Sequence, residues 1–84
     1  METQTTITLK LGNQTHEFIV GLTKFDRLRC DFKVLSPDNH ILIDGFTSNH
    51  EFYVQRQVRE MYYIYHLIEK KLKSAIKKIG VQIY

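Results

Sequence analysis

The stretch from Arg27 to Leu35, "RLRCDFKVL", alternates without a break. Leu28, Cys30, Phe32 and Val34 fall on one side of an extended chain, and Arg27, Arg29, Asp31 and Lys33 on the other. Successive side chains of a strand point to opposite faces, so this is a strand with one dry face and one wet face. No other feature constrains the fold as much, because such a strand belongs in an antiparallel sheet covered on one side only. The same period recurs in "TITLKL", with Ile7, Leu9 and Leu11 in phase, and in "HEFIVGL", with Phe18, Val20 and Leu22 in phase. "HILIDGF" reads as a fourth strand. "GNQT" and "SPDN" supply turn residues between strands, with Pro37 at the second position of a type I turn. Connections this short predict an antiparallel meander.

Past residue 47 the period changes. "SNHE" fits a capping box in which Ser48 and Glu51 satisfy each other's amides, so a helix is expected to open at Ser48. Val54, Val58, Met61, Tyr65, Ile68, Leu72, Ala75 and Ile79 then recur in alternating steps of four and three, a heptad-type seam. Lys73, Lys77 and Lys78 suit the negative end of that helix, and Gly80 suits its C-terminal cap. The expected architecture is α+β: a four-stranded antiparallel meander over residues 1–47, one long helix over 48–79, and a tail or short fifth strand at 80–84. A helix of that span would be about 46 Å long and would overhang so small a sheet. No proline or glycine within it predicts a kink.

Eighty-four residues make one domain with a thin stability margin, and ten Phe and Tyr side chains supply much of its burial. The lone Cys30 cannot form an internal disulfide, and the polar N-terminus lacks an apolar signal core. No apolar run approaches the roughly 20 residues needed to cross a bilayer. A cytoplasmic protein without membrane contact is the expectation. The charge is uneven. Residues 1–47 carry five Lys/Arg against six Asp/Glu, whereas residues 48–84 carry seven against three.

Two surfaces of the expected helix stand out. "MYYIYHLI" is apolar or aromatic on every side of a helical wheel, more than one sheet can cover. The seam accounts for Met61, Tyr65 and Ile68. Tyr62, Tyr63, Ile64 and Leu67 are left over, as an interface with a second copy or another protein, or as half-exposed residues under an edge loop. On another side Arg59, His66, Lys70, Lys73 and Lys77 form a stripe with Tyr63 among them and Arg56 beside it. Basic groups around an aromatic suit phosphates and a stacking base, and equally an acidic protein partner or plain solvent.

Chemistry is not expected. The histidines and the cysteine match no zinc spacing, His66 and Glu69 form a single pair, and no glycine-rich phosphate loop is present. An enzyme would need His66 or Cys30 in a cleft with a convergent acid or base. No metal, cofactor or small-molecule substrate is expected. The expected function is that of a small non-enzymatic interaction or regulatory protein that forms a homodimer or binds a protein partner. Stand-alone regulators of phages and mobile elements are built at this scale. Nucleic-acid binding through the basic helix face is the alternative.

Overall fold

A computed structural model describes all 84 residues. Five antiparallel strands form one sheet in chain order: β1 (Glu2–Leu11), β2 (Gln14–Lys24), β3 (Cys30–Leu35), β4 (Ile41–Ser48) and β5 (Glu51–Gln57). A short 3-10 turn (Arg59–Met61) leads into a single helix, α1 (Tyr65–Lys78). The α+β class, the antiparallel meander and the C-terminal helix agree with the alternation and the seam.

The start of the helix does not. Residues 48–57 are a hairpin rather than the first turns of a helix: Ser48 pairs with Glu51, and Asn49 and His50 form the turn with φ of 51° and 72°. Both central residues lie in the left-handed region, as a tight turn matching strand twist requires. The capping box is therefore absent, and α1 begins after Ile64 with no side-chain cap. The seam misled because Val54, Val58 and Met61 reach the core from a strand and a turn, at separations that coincide with helical ones. Within β5, Phe52 and Val54 face the core with period two. The fifth strand thus precedes the helix; beyond Gly80 there is a single bridge, His50 to Ile83. With 14 residues α1 is about 21 Å long, about one strand length, so the predicted overhang disappears.

The helix lies on one face of the sheet. Ile68, Leu72 and Ile76, at steps of four, are fully buried against Val20, Leu22, Phe32, Val34 and Ile43. Each such side chain contributes about 1.5–3 kcal/mol by leaving water. One flank of α1 (Lys71, Ala75, Lys78) runs beside β1, and the other reaches β5, where the Lys73 ammonium sits 5.3 Å from the centre of the Phe52 ring. The helix ends as the sequence predicts. Gly80, at φ 88°, donates to the Lys77 carbonyl at 3.0 Å, and Val81 donates to Ile76 at 3.4 Å, the paired bonds of a Schellman cap. Lys24 Nζ adds a bond to the Ile79 carbonyl at 2.9 Å.

Two irregularities interrupt the ladders of β4. Ile41 pairs with Leu35 and Ile43 with Val34, leaving Leu42 unopposed; farther on, Asp44 pairs with Arg56 and Gly45 with Val54, leaving Gln55 unopposed. The first bulge bends β4 and the second bends β5, and each re-aims the side chains of its strand. The second one keeps both Tyr53 and Arg56 on the outer face of the sheet, which no element covers.

Candidate interaction surfaces

The four residues expected as an interface separate. Ile64 packs against the core, so its surplus apolar surface is already covered. Tyr62 and Tyr63 stand in the turn before α1, 61% and 86% exposed, and Leu67 is exposed one turn later. Tyr62 also lines a surface cleft with Ile41, Leu42, Arg56 and Val58. Ile41 was missed by the alternation, which assigns it to a strand without saying that it stays 40% exposed. Its partner across the ladder is Leu35, and Ile19 pairs with Leu35 in turn, so an apolar row crosses three strands of the uncovered face and ends at the Tyr62 cleft.

The basic stripe does not survive as one surface. Arg56 belongs to β5 and Arg59 to the 3-10 turn, not to the helix. Arg56 donates from Nε at 3.0 Å and from Nη2 at 2.6 Å to one oxygen of Asp44, whose residue is 8% exposed. Those bonds, with the charge behind them, push the guanidinium pKa up and commit Arg56 to the sheet. Lys73 is tied to Glu69 at 3.3 Å besides its ring contact. His66, Lys70 and Lys77 remain exposed on the outward side of α1. Lys71, not singled out in the sequence, and Lys78, read there only as a helix-end charge, are exposed on the flank beside β1. Their spacing of seven places them on one helix face.

On the open sheet face an aromatic row runs from Tyr53 on β5 to Phe46 on β4, the rings stacked at 5.0 Å. Arg29 lies over the other side of Phe46 at 4.7 Å and over Phe25 at 5.9 Å. The two faces of Phe46 are thereby occupied within the protein. The row is a closed stack rather than a platform awaiting a base.

The residues considered for chemistry are not brought together. Cys30 is fully buried, and burial is the main cause that pushes its thiol pKa up, opposite to the activation of a nucleophile. Neither Cys30 nor His66 lines any of the three surface clefts. The Tyr65 hydroxyl is likewise held in its neutral form, first by burial and then by Glu69. Nowhere do three or more His, Cys, Asp or Glu side chains converge as metal ligands would. No helix is long and apolar enough to cross a membrane.

The largest cleft, about 510 Å³, lies between β1 and α1. Thr3, Thr5, Ile7 and Leu22 border it on the sheet side, and Lys71, Ser74, Ala75 and Lys78 on the helix side. Neither a protein-family model, nor a curated protein, nor a solved structure matches the chain.

Proposed function

We propose that this protein is a small non-enzymatic interaction module that binds protein, in the first instance a second copy of itself, through the surface of Tyr62, Tyr63 and Leu67. The observation that carries this reading is the exposure of two adjacent tyrosines just before α1 together with Leu67 one turn into it, on a helix whose Ile68, Leu72 and Ile76 are fully buried. Tyrosines give a large, stiff contact area with a polar tip and are favoured at interfaces. The row of Ile19, Leu35 and Ile41 extends the same surface onto the open sheet face.

Substitution of Ile64 is unsuitable as a test, because Ile64 packs against the core and a charge there would destabilise the fold as well as any interface. Tyr63→Asp and Leu67→Asp are the suitable variants, both at exposed positions. Sedimentation of the wild type is expected to show a dimer that each variant shifts to monomer with unchanged thermal stability. A wild type that stays monomeric near 1 mM, weaker than any useful self-affinity, would overturn self-association.

A second reading has one observation in its favour. Lys70, Lys71, Lys77 and Lys78 are exposed and form no ion pair, so a cationic ridge is available to a nucleic-acid backbone.

A further inference from the structure

We infer that the free edge of β1 is a second docking site, which takes an extended acidic segment of a partner protein as a sixth strand. The site is separate from the tyrosine surface and stands or falls independently of it.

The two edges of the sheet are not alike. β5 has 7 residues and is distorted by the bulge at Gln55. β1 has 10 residues and pairs with β2 over its whole length without a register shift. Natural edges are blunted by shortness, bulges, proline or inward charges. From Thr3 to Leu9, β1 has none of these, and its residues are mostly threonine.

The hydrogen-bond phase identifies the groups on offer. Met1 and Lys24 exchange both backbone bonds, at 3.1 Å and 2.8 Å. Antiparallel ladders alternate between bonded and non-bonded pairs, so the odd-numbered residues of β1 bond to β2. The N–H and C=O groups of Gln4, Thr6 and Thr8 therefore point away from the sheet. An incoming strand finds these amides already extended, in register and without a competing partner.

Beside that edge lies the 510 Å³ cleft. An added strand sends alternate side chains into it. Its floor is apolar (Ile7, Leu22, Ala75, Ile79), its helix wall carries Lys71 and Lys78, and no acidic residue lines it. Seven helical residues separate the two lysines, about 10.5 Å along the axis. On a strand, same-face positions four residues apart are about 13 Å apart, a difference that flexible lysine stems absorb. The complementary sequence has carboxylates at i and i+4 and a small apolar side chain at i+2. The same charges disfavour a second copy: two β1 strands pairing across a two-fold axis would bring both lysine flanks together. Nucleic acid is disfavoured because no aromatic side chain lines the cleft.

The probe is a synthetic peptide, Thr-Glu-Thr-Val-Thr-Glu-Thr, titrated against the isotope-labelled full chain. Binding is expected, with slowed amide exchange at Gln4, Thr6 and Thr8. Thr6→Pro, which removes an edge donor without touching the β1–β2 ladder, should abolish binding. Lys71→Glu with Lys78→Glu should weaken it roughly tenfold, and a peptide with lysine in place of glutamate should restore it. No binding by about 1 mM peptide overturns the proposal. So does binding indifferent to both variants, or edge protection that rises with protein concentration in the absence of peptide, which would mark a second copy.

Discussion

Gly45 illustrates how one residue decides the packing around it. It faces the core opposite Phe32 on β3 and Val54 on β5. A Cβ there would collide with the Tyr53 carbonyl and lie 2.5 Å from the Phe32 ring. The missing side chain lets the Phe32 ring reach across β4 and stack on Phe52 at 4.6 Å. Because one obstacle is backbone, relaxation is limited. Gly45→Ala is expected to cost about 3 kcal/mol or more, read as a lower urea midpoint at unchanged slope. Cys30 gives a second expectation at this scale. Its thiol is buried with a raised pKa, so the folded chain keeps a proton that the unfolded chain releases above roughly pH 8.5. Fewer protons on the unfolded state mean that stability falls as pH rises through that window, by up to about 1.4 kcal/mol per pH unit. Cys30→Ala should flatten this limb of the stability–pH curve and leave a later one, starting near pH 10, where Tyr65 resists ionisation. An unchanged curve between pH 8.5 and 10 would contradict the assignment.

At the level of elements, the segment Ser48–Gln57 supports two opposed expectations. In a helix, glycine at position 50 would cost about 1 kcal/mol. In the observed turn, His50 occupies the left-handed region at φ 72°, and glycine relieves about 1 kcal/mol of strain. His50 also stacks on Tyr84 at 5.3 Å, so the comparison belongs in a Tyr84→Ala background. There His50→Gly is expected to raise the melting temperature, and a fall would restore the helical alternative. Strands β1 to β4 were legible in the sequence, because the alternation of Cys30, Phe32 and Val34 has no helical equivalent, although Leu28, in phase with them, lies in the β2–β3 loop and not in β3. The end of α1 was, because Gly80 is chemically specific for the cap. The start of α1 was not. "SNHE" serves a hairpin as well as a cap, and valines three and four residues apart meet the core by two routes. Tyr62 and Tyr63, read as surplus on a helix, stand exposed in the turn before it. Ile64, by contrast, was separated from them only by the true entry angle of α1.

For the whole molecule, the ends of the chain tie its parts together. Gln82 donates to the Arg27 carbonyl at 2.7 Å and Tyr84 to His50 at 3.0 Å, so the tail binds the β2–β3 loop to the β4–β5 turn. Val81, 2% exposed, closes the core immediately before these bonds. Val81→Ala should therefore cost about 2 kcal/mol, more than an ordinary tail position and a large share of a small domain's stability. Charge is distributed with the same asymmetry. Arg29 and Arg56 are paired with Asp31 and Asp44, whereas α1 presents Lys70, Lys71, Lys77 and Lys78 without partners. This sets a bound on the nucleic-acid reading. If all four lysines met phosphates of a single strand, the logarithm of the binding constant would fall with that of salt at a slope of about −3. Lys73, already held by Glu69, should leave that slope unchanged when replaced by alanine. Replacing Lys70 and Lys77 should roughly halve it, because two of the four contacts are lost. Titration of a short single-stranded DNA at several salt concentrations measures all three slopes. Absence of binding at the lowest salt would end this reading and leave the lysines of the outward face as solvated charge around the tyrosine surface.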